Sequence, residues 1–92
     1  MSEYIEFEIE QGDDPALMCI RTNLRLTEEA EELYDSPAAM ELGSPLAQML
    51  APVEGVIALR IAGYDLYVTG NEETPWHMIV PEITATVREF FL

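Results

Sequence analysis

Apolar and polar residues alternate at the start of the chain. Ile5, Phe7 and Ile9 alternate with Tyr4 and three glutamates, which predicts a half-buried strand with an acidic outer face. After a cluster of turn-forming residues, the apolar run from Ala16 to Ile20 has the length of a second strand. We expect these two strands to form an antiparallel pair.

A second strand pair is predicted further along the chain. Residues 56–61 and 64–69 are mostly β-branched, aromatic or aliphatic. Gly63 lies between them, in the Ala62-Gly63 or the Gly63-Tyr64 pair, where a tight hairpin needs a positive φ. A period of two assigns to the core face Ile57, Leu59 and Ile61 of the first strand and Leu66 and Val68 of the second.

A short helix is predicted between the two strand pairs. Ser44-Pro45 combines a capping side chain with a proline at the first helical position, where no needed hydrogen bond is lost. The helix should span residues 45–51, because Pro52 cannot continue it and Gly55 follows. Its apolar face would consist of Leu46, Met49 and Leu50.

A long amphipathic helix is predicted at the end of the chain. Thr74-Pro75 repeats the signal of a cap followed by proline. The apolar residues at helical spacing are Trp76, Ile79, Val80, Ile83, Val87, Phe90 and Phe91. Pro81 removes one backbone donor, so we expect a kink or two helical pieces, and the continuing stripe favours a bend over a break.

The segment between residues 27 and 35 is ambiguous. Its composition favours a helix, with Thr27 as a cap and glutamates near the positive helix end. It carries few apolar residues, so the alternative is a loop that leads into an edge strand near Leu33 and Tyr34. Ser36-Pro37 and Gly43 would then bracket a turn or a single helical turn.

The chain is strongly acidic. Its 92 residues include 18 acidic side chains against four arginines and no lysine, and the formal net charge is −14. This charge disfavours binding to nucleic-acid phosphates or anionic membranes, so a charged partner is expected to be basic. A solvated surface adapted to high salt is an alternative explanation of the same composition.

Few residues of the chain are typical of catalytic or metal sites. Cys19 and His77 are the single cysteine and the single histidine, whereas metal and cluster sites need several such ligands. Cys19 lies in an apolar run and is predicted to be a small buried hydrophobe, and His77 to be a surface residue. We therefore assign no catalytic, cofactor-binding or metal-binding residue, and expect neither a cofactor nor enzyme activity.

The length of the chain suits one domain, which we place at residues 1–92. The first residues contain neither a basic signal-peptide start nor a long apolar run. One cysteine excludes an internal disulfide and fits a reducing compartment. We expect a cytoplasmic protein.

Four stretches of the sequence resemble one known family. They are Ser44-Pro45-Leu46-Ala47, Val53-Glu54-Gly55-Val56, Tyr67-Val68-Thr69, and Trp76 followed by Val80-Pro81-Glu82-Ile83. In order and spacing they resemble the N-terminal domain of the Nfu/NifU-like iron–sulfur cluster scaffold proteins. The resemblance implies an α+β fold, a two-layer sandwich in which two helices cover one face of a mostly antiparallel sheet of four to five strands. It also implies a strand around Leu33-Tyr34.

Some positions depart from the family pattern. Asp13-Asp14-Pro15 stands where the family has Asn-Pro-Asn, and Val53-Glu54 stands where a proline is usual. The family's Cys-x-x-Cys pair belongs to a following domain that is missing from this sequence. No cluster ligand therefore carries over to any residue here.

The leading hypothesis is a stand-alone Nfu N-terminal-like domain without catalysis. It would bind an iron–sulfur assembly or client protein that has a basic surface, with neither nucleic acid nor membrane as a partner. One alternative is a metal- or cluster-handling homodimer in which Cys19 bridges the subunits. Another is an inhibitor of a basic protein whose acidic side chains mimic nucleic acid in a spaced double row on one face.

Overall fold

A computed structural model describes residues 5–91 as a five-stranded sheet with three helices. Tyr4, predicted to lie in the first strand, is outside the described residues. The elements in chain order are β1 (Phe7–Gln11), β2 (Leu17–Thr22), β3 (Glu32–Tyr34), α1 (Pro37–Glu41), α2 (Pro45–Leu50), β4 (Val56–Ala62), β5 (Asp65–Gly70) and α3 (Trp76–Phe91). The strand order is β1-β2-β5-β4-β3, and all neighbours are antiparallel. The predicted α+β fold is confirmed, with one short helix more than expected.

One face of the sheet packs against the helices and forms the core. Alternate residues of the strands point to this face, as a period of two predicts. The largest fully buried side chains are Ile20, Ile61, Leu66 and Val68 from the sheet, and Met40, Leu46, Leu50, Ile79, Ile83 and Val87 from the helices. Each such side chain contributes about 1.5–3 kcal/mol through burial.

The two short helices begin at serine caps followed by proline. Ser36 Oγ accepts a hydrogen bond from the Ala39 N–H at 3.1 Å, and Ser44 Oγ accepts one from the Ala47 N–H at 3.4 Å. α2 spans one residue less than predicted, because Ala51 is its C-cap. Ala47 is buried and Met49 is exposed, so the prediction that Met49 faces the core is wrong.

α3 continues through Pro81 without interruption. The predicted two-piece alternative is therefore wrong, since residues 76–91 form one helix. Pro81 leaves the carbonyl group of His77 without its helical donor. His77 is an exposed residue.

The ambiguous segment contains a strand and no helix. Thr27 is buried, and its hydroxyl accepts a hydrogen bond from the Glu29 N–H at 3.1 Å in a local turn. The Tyr34 hydroxyl donates to the Glu32 carboxylate and accepts from the Ser44 N–H at 3.1 Å. The bond from Ser44 connects β3 to the start of α2, so tertiary contacts override the helical propensity of the segment.

Two predicted core residues of the strands are exposed. Val56 pairs with Gly70 and Ala58 with Thr69, so Ile57 is an extra residue in a bulge and is 42% exposed. Ile9 pairs with the core residue Ile20, but it lies in an edge strand and remains 44% exposed. A pattern of alternation reveals neither the bulge nor how far the helices cover the sheet.

The two glycines with positive φ yield a test of the packing. A Cβ atom at Gly55, where φ is 97°, would lie 2.8 Å from both Ile79 and Thr74, whereas at Gly63, where φ is 62°, it would meet nothing within 4 Å. We expect Gly55→Ala to lower the free energy of unfolding by about 2–4 kcal/mol, through backbone strain and overpacking. The control Gly63→Ala should cost about 1 kcal/mol from strain alone. Urea denaturation measures both, and equal losses would contradict this account.

Candidate functional site

The sheet face opposite the helices is the candidate site. The register aligns one residue of each strand across it, in the order Glu10, Cys19, Tyr67, Arg60 and Leu33. Paired residues share a face, and so do residues two positions apart in one strand, so the rows two residues away on either side belong to the same surface. We call this surface the open face, and its other members are Glu8, Leu17, Arg21, Ala58, Ala62, Asp65 and Thr69.

Cys19 lies near the middle of the open face. It is buried, as its apolar neighbourhood predicted, with 8% of its surface exposed, yet it is separate from the core beneath the helices. Burial raises the pKa of the Cys19 thiol, and a side-chain hydrogen bond with Arg21 offsets this only in part. The thiol is therefore poorly placed to act as a nucleophile or a cluster ligand at neutral pH.

Cys19 and His77 are not brought together. His77 is exposed in the first turn of α3, which packs against the opposite face of the sheet from Cys19. Within residues 5–91, no three side chains of the His, Cys, Asp or Glu type are grouped so that they would hold a metal ion. The assignment of no catalytic, cofactor-binding or metal-binding residue stays a prediction.

Two arginines lie on the open face, and both are ion-paired. Arg21 Nη1 is 3.2 Å from Glu10 Oε2, and Arg60 Nε is 2.7 Å from Glu31 Oε2. The Arg60 guanidinium also stacks over the Tyr67 ring, 4.9 Å from its centre. All four charged side chains are about half exposed, so solvent screening leaves each pair little effect on stability. The pairs nevertheless neutralise both cations of the open face.

A shallow groove of about 650 Å³ runs along the open face. Asp35 and Arg60 add charge to its lining, and the other lining residues are Leu17, Leu33, Tyr34, Ala58, Leu59, Tyr67 and Thr69. Leu33 is 68% exposed, which is unusual for a large apolar side chain in a strand. An apolar groove that opens to solvent is typical of a surface that receives a side chain from another molecule. Sequence reasoning missed it, because the groove exists only once β3 is placed beside β4.

The acidic residues lie in several separate parts of the chain and are not confined to one face of the sheet. One group follows β1 and its turn: Glu6, Glu8, Glu10, Asp13 and Asp14. A second lies around β3: Glu28, Glu29, Glu31, Glu32 and Asp35. A third includes Glu72 and Glu73, in the loop before α3. This distribution does not fit the double row of acids on one face that nucleic-acid mimicry requires.

The sequence of the chain is similar to those of iron–sulfur cluster scaffold proteins. It is 37% identical over 59 residues to the mitochondrial NFU1 iron-sulfur cluster scaffold homolog of Drosophila virilis, and 39% identical over 59 residues to the human protein of that name. It is 34% identical over 50 residues to mitochondrial NifU-like protein 4 of Arabidopsis thaliana. These matches cover 54–63% of this chain but only 18–23% of the relatives, so the chain spans about a fifth of their length. The chain matches no protein-family model.

The fold is similar to two solved structures. The solution structure of a NifU-like protein from Saccharomyces cerevisiae superposes with a TM-score of 0.78 at 18% identity, over 97% of this chain and 82% of that one. The crystal structure of protein SAV1430 from Staphylococcus aureus gives 0.74 at 16% identity, over 92% and 99%. At these identities the likeness concerns the fold alone. Together with the sequence matches, it confirms the resemblance to NifU-like proteins.

The comparisons correct the predicted location. The relatives from insects, human and plant are all named as mitochondrial proteins. The prediction of a cytoplasmic protein is therefore wrong, and the relatives point to mitochondria. Among residues 5–91, no helix has the length and apolar character needed to cross a membrane.

The burial of Cys19 leads to a prediction about its reactivity. We expect a thiol reagent to label Cys19 in the native protein at least about 100-fold more slowly than in denaturant at the same pH, because access is blocked and the thiolate is disfavoured. The control is the double variant Cys19→Ser, Ala62→Cys, whose thiol lies partly exposed on the same face. Rapid labelling of native Cys19 would contradict the burial and revive the bridged-dimer alternative.

Proposed function

We propose that residues 1–92 form a single non-catalytic docking domain that acts in iron–sulfur cluster assembly or delivery by binding a protein of that process. The observation that carries this proposal is the similarity to proteins named as iron–sulfur cluster scaffold homologues. The match covers more than half of this chain and about a fifth of each relative.

The open face supports docking better than it supports chemistry. Its one thiol is buried, and its two arginines are held by ion pairs. Besides these charged side chains, it offers to solvent a shallow groove and the side chain of Leu33. Such a surface provides apolar contact area and polar edges, which are the features of a protein interface.

The charge of the chain supports a basic partner. The net charge is −14, and within residues 5–91 the ion pairs involve only Glu10 and Glu31 among the acids. Most carboxylates therefore have no intramolecular cation, and they attract a basic surface over about 8 Å at physiological salt. This attraction raises the rate of association with basic proteins and lowers it for acidic ones.

The proposal predicts saturable and salt-sensitive binding to an iron–sulfur assembly or client protein with a basic surface. We expect the affinity to fall by about tenfold when the salt concentration rises from about 0.05 M to about 0.5 M. Calorimetry with purified cluster proteins measures this, and an acidic protein of similar size is the control. If none of the purified cluster proteins binds at low salt, the proposal is wrong.

The alternative of a Cys19-bridged, cluster-holding homodimer has a separate test. Because Cys19 is buried, we expect anaerobic reconstitution with iron and sulfide to leave the protein colourless and its size-exclusion elution unchanged. The Cys19→Ser variant is the control for iron bound at other groups. Visible absorption that is retained on a dimer by the unmodified chain, and lost in Cys19→Ser, would establish the alternative.

A further inference from the structure

We propose that the groove on the open face and the acidic edge beside it bind an extended segment of the partner protein, in which an apolar side chain is flanked by basic residues. This inference rests on the proposed function, because it names where on the domain a basic partner docks. The proposed segment has one apolar side chain that fills the groove, and basic side chains on the side that faces β3.

The apolar half of the argument concerns Leu33. It belongs to a three-residue edge strand that pairs only with β4, and its side chain is 68% exposed on the open face. Leu17 and Ala58 continue the apolar lining of the groove from the neighbouring strands. An apolar side chain of the partner that fills this groove would remove Leu33 from water, which stabilises the complex in proportion to the area buried.

The charged half of the argument concerns a second groove on the other side of β3. It has a volume of about 590 Å³ and shares Leu33 and Tyr34 with the first groove. Its lining includes Glu29, Glu31 and Glu32. An apolar groove therefore passes directly into an acidic one across the edge of β3, and this order matches an apolar residue followed by a basic one in an extended segment.

Each of the three glutamates in the lining favours a cation at this position. Burial alone would raise the pKa of Glu32, but hydrogen bonds with Ser44, Thr27 and Tyr34 outweigh it and lower the pKa, so the carboxylate keeps its charge. Glu31 already binds Arg60, a cation of this chain, at 2.7 Å. Glu29 has no cationic partner among residues 5–91 and is exposed.

Charge also selects among the possible occupants. A second copy of this chain carries the same net charge of −14, and nucleic acid or an anionic membrane carries negatively charged phosphates. All three are repelled at low ionic strength. A basic protein segment is attracted, so it is the occupant that the charges of this surface favour.

The experiment titrates the isotopically labelled full chain with a capped peptide of alternating lysine and leucine, followed by NMR of the backbone amides. We expect shifts in β3, β4 and β5, with binding about tenfold tighter than to a matched peptide that carries serine in place of leucine. Equal affinity for both peptides, or shifts confined to α3 and β1, would overturn the proposal.

Matched variants test the two halves separately. Leu33→Ser should weaken binding of the leucine peptide by about tenfold, while Met78→Ser, at a position 55% exposed on α3, should change it less than about twofold. Glu29→Gln should weaken binding of the leucine peptide about threefold, whereas the control Glu82→Gln on α3 should leave this binding unchanged. Circular dichroism verifies that each variant is folded. Equal effects of a variant and its control would overturn the proposed site.

The outcomes separate this inference from the proposed function. If cluster proteins bind and Leu33→Ser leaves their affinity unchanged, the docking function stands and this site is wrong. If no cluster protein binds but the leucine peptide occupies the groove, the site stands and the iron–sulfur role fails. A concentration-dependent dimer of the native chain that Leu33→Ser abolishes would overturn the proposal in favour of a second copy.

Discussion

The packing of α3 against the sheet is the interaction on which the rest of the structure depends. Ile79, Ile83 and Val87 are fully buried and lie four residues apart, so one side of the helix forms a continuous apolar ridge. Gly55 and Gly70 allow Ile79 to approach the ends of the central strands closely. The start of the helix is held by a hydrogen bond of 2.9 Å, which the Trp76 indole N–H donates to the carbonyl of Pro15. The helix thereby links both strand pairs, β1–β2 and β4–β5, in one core.

This one-sided packing determines what the other face of the sheet looks like. All three helices contribute to the same core, so the open face is left to side chains that are stable in partial contact with water. The register of the strands then decides which side chains of the open face become neighbours. Because Glu10, Cys19, Tyr67, Arg60 and Leu33 fall in one row, the arginine reaches the tyrosine ring and the cysteine is covered by its neighbours. The candidate site is thus a consequence of strand pairing and contains no sequence motif.

The parts of the fold that local chemistry specifies were predictable from the sequence. Serine followed by proline marked α2, and alternation marked the β4–β5 hairpin, because these signals involve residues close in the chain. The bulge at Ile57 was not predictable, since it depends on how two strands align. The side of the sheet that Cys19 occupies was also hidden, because a continuous apolar run has no alternation to assign its faces. The prediction of β3 rests on the family resemblance and runs against the propensity of the segment, because the strand is held by its pairing with β4 and by the hydrogen bond from the Ser44 N–H to the Tyr34 hydroxyl.

Net charge and local neutrality together disfavour the pairing of the exposed apolar edge with a second copy of the chain. A short edge strand that carries an exposed leucine is a surface on which copies of a protein tend to pair. Here the two arginines of the open face are ion-paired with Glu10 and Glu31, so the open face offers no unpaired cation to the acids of another copy. The remaining carboxylates keep like molecules apart at moderate salt. The same charges attract a basic surface, so the electrostatics of this edge disfavour a second copy of the chain and favour a cationic partner. Added salt weakens both the repulsion between copies of the chain and the attraction of a cationic partner, because both arise from the same carboxylates, whose charges the salt screens.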